Sequence, residues 1–134
     1  MNTRELNRRA REQWDAKAEF WDMLHGYDGN QFHKELISPA AERLLNIQTG
    51  EVVLDLACGN GVFSRRLAEL GAAVIATDFS AALIERAKVR TASANVTYKV
   101  IDATDDRRCW DWAWGVSTRP CVIWRFKTSR TSAR

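Results

Sequence analysis

The feature that most constrains this chain is an alternation of period from Glu51 to Asp102. EVVLDLA is a short apolar run, CGNG a tight glycine turn, and VFSRRLAELG spaces Val62 or Phe63, Leu67 and Leu70 as a helix does, with Gly71 as its stop. AAVIAT is a second apolar run, and Ser80 stands where it can cap the helix AALIERAKVR. NVTYKVI is a third strand, leading to Asp102. Strands separated by helices of this length cannot form hairpins. They require crossovers, and hence an α/β fold with a parallel sheet, whose three strands lie side by side in the doubly wound order.

Upstream the period is helical. Leu6, Ala10, Trp14, Ala18, Trp21 and Leu24 or His25 recur at three- and four-residue steps, predicting a helix over residues 3–25. HGYDGN reads as a loop. FHKELISPAAERLLNI reads as a second helical region restarting at Pro39, with Ser38 as N-cap and Gly50 closing the region. Trp14 and Trp21 share a face, either as core aromatics or as a lid over a ligand that Tyr27 would also line. His25 and His33 read as surface or loop residues with no metal-ligand cluster around them. Arg65, Arg66, Glu69, Glu85, Arg86 and Lys88 read as a solvated helix face.

The chemistry gathers at the strand ends. Gly59 and Gly61 let the backbone turn sharply, and the next helix aims its first amides at the same space. Asp78 ends the second strand, seventeen residues after Gly61, where a carboxylate can accept both hydroxyls of a ribose. Asp102 ends the third. Ligands of open α/β sheets sit at the carboxyl ends of the strands, so Asp55, Gly59, Gly61, Asp78 and Asp102 converge on one edge. A dinucleotide-binding G-x-G-x-x-G would need a third glycine where Ser64 stands.

With VLDLACGNGVFSRRLAELGAAVIATDFSAALIERAK, YKVIDATD and the leading WDAKAEFWD, the chain resembles the class I S-adenosylmethionine-dependent methyltransferases. Asp55 takes the acidic place of the family's first motif, Gly59 and Gly61 take two of its glycine places, and Ala57 stands where a first glycine is common. The resemblance implies a Rossmann-like parallel sheet with N-terminal helices, and S-adenosyl-L-methionine as cofactor. It implies that Asp55 and the backbone from Ala57 through Cys58, Gly59 and Asn60 to Gly61 hold the methionine part. Asp78 would bind the ribose, Phe79 would lie against the adenine with Ser80 beside it, and Asp102 would accept from the adenine amino group next to Ala103. It implies methyl transfer to a small-molecule acceptor, and it designates no catalytic residue in the residues present.

Composition narrows the partners. Residues 107–134 hold seven Lys/Arg and one acidic residue, Asp111, leaving the first 106 residues at net −3. The basic pI is a property of the tail, so a nucleic-acid partner is not expected. Cys58, Cys109 and Cys121 form no C-x-x-C pair, Cys58 has no neighbouring base, and a reducing cytoplasm is the expected setting. The N-terminus is polar, no apolar run can span a membrane, and the oligomeric state is open.

Three segments follow: a helical cap region (1–50), a cofactor-binding βαβαβ half (51–106) and an aberrant, mostly irregular tail (107–134). The tail, with RRCWDWAWGVSTRPCVIWRF, holds four of the six tryptophans. The family's sheet has further strands, so this chain reads as truncated after three. Shifted one nucleotide upstream, with permitted codons, STRPCVIWRFKTSRT becomes FDAAVCNMALQDIAD, a fourth strand in family style. A frameshift near Asp105 to Arg108 is therefore expected, with no measurable turnover by the chain as it stands. The alternatives are a non-catalytic cofactor-binding fragment and a tryptophan-rich nucleic-acid module. Resequencing the locus should reveal a one-base insertion or deletion that opens the frame containing this string. If neither does so, the frameshift is refuted.

Overall fold

The structure, a computed structural model, describes residues 2–104. The expectations for residues 105–134, including the irregular tail, the frame break, Cys109 and Cys121, lie outside the described residues.

The first helix, α1, spans Thr3–His25, as the spacing predicts. Its cap is Asn2, whose side chain accepts from the Glu5 amide at 2.9 Å. Gly26 ends it in the left-handed region (φ 58°), donating its amide to the Asp22 carbonyl. The second helical region departs from expectation. A π-helical turn, His33–Ile37, runs without a break into α2, Ser38–Leu45. Ser38 is itself helical (φ −60°, ψ −48°), so it does not cap a new helix. Its amide reaches back five residues to the His33 carbonyl, and its hydroxyl hydrogen-bonds His33 Nδ1 at 3.0 Å. The reason is Pro39, which has no N–H and whose ring collides with the carbonyl four residues back in a regular helix. One wide turn relieves both conflicts without stopping the helix. Asn46, left-handed at φ 45°, closes α2, whereas Gly50 lies in the turn before the sheet.

Three strands follow: β1 (Val52–Leu56), β2 (Ala73–Asp78) and β3 (Val96–Val100). They alternate with α3 (Val62–Glu69) and α4 (Ala81–Arg90). The sheet is parallel in the order β1-β2-β3, with Asp55 opposite Ala76 and Asp78 opposite Val100. This is the Rossmann-like α/β arrangement expected. Both crossovers step the same way across the sheet, and the right-handed rule places α3 and α4 on one face. Val53, Val74 and Ala76 point to that face by the two-residue pleat. They pack there with Phe63, Leu67 and Ala68 of α3, with Ala72, and with Ala41 of α2.

That same pleat carries Asp55 and Asp78 onto the covered face, where both are buried. Beyond β1 the chain turns through Ala57, which is left-handed at φ 60° although it has a Cβ. This explains why glycine is common at this place: an L side chain there costs about 1–2 kcal/mol. Part of the gain from replacing it returns as lost freedom in the unfolded chain. Ala57→Gly should therefore raise stability by roughly 0.5–1 kcal/mol in urea denaturation. A measurable loss of stability would contradict the assigned turn conformation.

Candidate functional site

Three loops meet at the carboxyl edge: Ala57–Gly61 after β1, Phe79 and Ser80 after β2, and residues 101–104 after β3. Asp78 joins the first two. Its Oδ2 accepts from the Gly59 amide and its Oδ1 from the Ser80 amide, each at 2.9 Å. Burial pushes the Asp78 carboxyl above its ordinary value, against the pull of the Ser80, Gly59 and Phe79 amides. Ser80 is fully buried and caps α4, its hydroxyl oxygen accepting from the Leu83 amide. Phe79 is half-buried between them.

Asp55 lies beneath the first turn of α3. Ser64 donates to its Oδ2 at 2.6 Å, while Oδ1 is buried without a partner. Burial raises the Asp55 carboxyl to about 6, opposed by the Ser64 bond and reinforced by Asp78. Ser64 thus stands where a dinucleotide fold would have a third glycine, and serves instead as donor to the buried acid. Cys58 packs against the core under the sheet. Burial, with Asp55 and Asp78 nearby, pushes its thiol well above the ordinary range, so it is no thiolate nucleophile.

The two glycines serve different ends. Both are left-handed (φ 57° at Gly59, 81° at Gly61). At Gly61, however, an added Cβ would collide with the Tyr98 hydroxyl and lie 2.9 Å from Arg65 Nη1. That glycine admits β3 and α3 side chains rather than a ligand. At Gly59 the nearest atom to an added Cβ is Trp21 Nε1, at 3.5 Å, so Trp21 lies across the turn.

Asp102 and Ala103 follow β3. Asp102 accepts from the Thr104 amide and hydroxyl at 2.9 and 2.6 Å and from Arg11 at 3.1 Å. Burial works to raise its carboxyl, but the Thr104 and Arg11 contacts outweigh it and hold the group below its ordinary value. Ala103 is exposed.

The helix that crosses this edge is α1. Asn7 donates to Thr104 (2.6 Å) and Arg11 to Asp102, both in the loop after β3. Asp15 accepts from the Ser80 hydroxyl (2.5 Å) and the Ala82 amide (3.2 Å) at the start of α4. Asp22 accepts from Asn60 in the turn after β1 (2.9 Å). These residues share one face at steps near multiples of 3.6, and the helical rise of about 1.5 Å per residue carries them from strand to strand. The hydrophobic periodicity of α1 concealed this polar stripe. Its signal was the Asn7, Arg11, Asp15 series at four-residue steps.

Several expectations need correction. Arg65 is not on a solvated face: it is 3% exposed and donates to the carbonyls of Asn60 (2.7 Å) and Tyr27 (2.8 Å). Its guanidinium lies 4.8 Å from the Tyr27 ring centroid, so Tyr27 faces Arg65 and is otherwise exposed. His33 is buried rather than on the surface, and burial lowers its imidazole, aided by His25. Trp14 and Trp21 are half-buried and meet edge to face at 5.2 Å, and His25 lies 4.1 Å from Trp21. Neither tryptophan joins the core under the sheet. Among the described residues no three His, Cys, Asp or Glu could hold a metal ion, and no helix is long and apolar enough to cross a membrane.

A family model described as a methyltransferase domain matches residues 53–113. The 23S rRNA (uracil(1939)-C(5))-methyltransferase RlmD of Shewanella sp. is 36% identical over 85 residues, which is 61% of this chain. The chain spans only 19% of the length of that curated relative. A SAM-dependent methyltransferase structure from Anabaena variabilis superposes with TM-score 0.64 at 19% identity, over 85% of this chain and 47% of that one. This likeness concerns the fold. Phosphoethanolamine N-methyltransferase 1 of Haemonchus contortus, in complex with phosphoethanolamine and S-adenosylhomocysteine, matches at TM-score 0.56 and 26% identity, over 76% of this chain and 22% of that chain.

The buried acid has a pH signature. Asp55 ionises near its ordinary 3.8 in the unfolded chain and at about 6 in the folded one. Between these values the unfolded state releases its proton first, so stability falls as pH rises through the window and then levels off. Asp78 adds in the same direction. Asp55→Asn should remove the Asp55 component and raise stability at pH 7.5 by up to about 3 kcal/mol. Urea denaturation at pH 4 and pH 7.5 reads it. An unchanged slope between the two would refute the assigned burial.

Proposed function

We propose that this chain, whose residues 53–113 match a methyltransferase-domain model, is a class I S-adenosylmethionine-dependent methyltransferase whose carboxyl edge binds S-adenosyl-L-methionine and serves methyl transfer to a small-molecule acceptor. The observation that carries this reading is Asp55 Oδ1, a buried anionic oxygen with no donor, beside a turn whose glycines are left-handed. An uncompensated carboxylate is costly, and a cationic ammonium at the turn supplies what it lacks.

The other residues fit the same group. Asp78 accepts from the Gly59, Ser80 and Phe79 amides, which leaves its carboxylate capacity for a ribose hydroxyl. Asp102, held ionised, would accept from an adenine amino group, with Phe79 and Ala103 flanking the ring. Trp21, across Gly59, roofs the turn, with Trp14 against its edge, and together they exclude water from the methionine side. When bound, S-adenosylmethionine supplies an electrophilic methyl on a sulfonium. The described residues hold and orient it, so their share of catalysis is positioning, and no general base is among the residues assigned.

The ribosomal-RNA relative prompts a second acceptor class. Its likeness covers only 19% of that relative's length, and the first 106 residues of this chain are net acidic, which repels a phosphate backbone. Titration calorimetry with S-adenosylhomocysteine should show one site, weakened at least tenfold by Asp78→Ala. Folded protein giving no heat would overturn the cofactor reading, and salt-sensitive binding of single-stranded RNA would replace the small-molecule acceptor with a nucleic acid.

A further inference from the structure

Asn60 is flanked by the two left-handed glycines of the turn, yet its side chain does not point along the ligand edge. Both of its amide hydrogens are used on α1 and its end: Nδ2 donates to Asp22 Oδ1 at 2.9 Å and to the Gly26 carbonyl at 3.0 Å. Its own carbonyl accepts from buried Arg65 at 2.7 Å. Residue 60 is thus gripped from α1 on one side and from α3 on the other. Between two glycines the backbone has little conformational preference of its own. The Gly59 amide is held by Asp78 and the Gly61 amide by the Cys58 carbonyl, and the grips on residue 60 fix the segment between them.

Asp22 is fastened in turn. It is 6% exposed, and Arg90, the last residue of α4, donates to both its oxygens, at 2.5 Å from Nε and 3.1 Å from Nη2. Arg86 approaches within 4.0 Å. With Asp15 on Ser80 and Asp22 on Arg90, α1 clasps α4 at both ends. The pair is part-buried, with only Asp22 enclosed, so it adds little net stability, but separating it leaves the Asp22 carboxylate without its partner. Its effect is to hold α1 in one register.

We infer that Asp22, Asn60 and Arg90 form a positioning network through which the docked end of α1 sets the geometry of the glycine turn, so that helix docking and grip on the methionine part of the cofactor are one event. None of the three touches the reacting atoms. Asp22 and Arg90 act through Asn60, and Asn60 acts through the backbone on either side of it. The inference rests on the cofactor reading above for its ligand, but not for its mechanics.

Two measurements on the full chain test it. The first needs no ligand. Amide hydrogen exchange at Gly59 and Gly61 should rise at least tenfold in Asn60→Ala and Asp22→Ala, with exchange in β2 and β3 unchanged. Unchanged exchange in the turn, or an equal rise everywhere, overturns the network even if the protein binds cofactor. Should Asp22→Ala unfold the chain, Asn60→Ala, which removes no charge, decides the matter. The second measurement compares S-adenosylhomocysteine with 5′-methylthioadenosine, which shares the nucleoside but lacks the amino-acid end. Asn60→Ala should weaken the first at least tenfold and the second less than twofold, and Arg90→Lys should keep most of the affinity for both. Equal losses for the two ligands mean a merely structural role and overturn the inference. Failure of the unaltered protein to bind either ligand sinks the cofactor reading, while the exchange data still decide the network.

Discussion

The carboxylate of Asp78 is the contact on which the rest of the edge depends. One oxygen holds the turn after β1 through Gly59, and the other holds the entry to α4 through Ser80. Two strands and the helix between β2 and β3 are thereby set at a common point. The two amides compensate a buried charge that would otherwise be expelled, so the acid and the loops require each other. Asp55, four residues before Gly59, has no such complement on its second oxygen. Two acids on one face of one sheet are therefore treated differently, one satisfied on both oxygens and the other on one alone. Native proteins carry such destabilising groups where function demands them.

Across this edge α1 acts as a crosspiece. Its polar stripe meets the loop after β3, the start of α4 and the turn after β1 in sequence, so the helix is positioned by hydrogen bonds at its ligand side more than by a continuous apolar seam. Leu6 and Leu24, which the periodicity assigns to its inner face, are about half exposed (47% and 51%), whereas Ala18 is buried at 3%. Small residues allow close approach to α4, and the charged residues around them specify the register. The tryptophans Trp14 and Trp21 lie beside this stripe, half-buried, between core and edge.

How legible each part was depended on how local its cause is. Strand and helix periods between Val52 and Val100 come from side-chain alternation within a few residues, and they placed β1 to β3 and their crossovers in the parallel order found. The left-handed turn was legible from Gly59 and Gly61, but the reason for Gly61 was not. It lies with Tyr98, from a strand that reaches it only through the fold. Ser38 before Pro39 carries a good capping signal, and it was overridden because a π-helical turn lets the helix run through the proline, with His33 buried beneath. Arg65 reads as one more exposed charge on a helix. Its burial follows from three backbone carbonyls that the tertiary structure brings to it, from Asn60, Gly26 and Tyr27.

By itself the sequence determined the sheet, its order, the sharp turn after β1 and the acids at the ends of its strands, because periodicity, glycine conformation and strand polarity are properties of short stretches of chain. Only the tertiary structure decided which acids are satisfied and which is left wanting, which glycine admits a neighbour, and how α1 is tied across the edge. Those outcomes turn on partners as much as 97 residues apart, as Asn7 and Thr104 are. Whether a polar group is compensated depends on everything that surrounds it, and no local pattern carries that information.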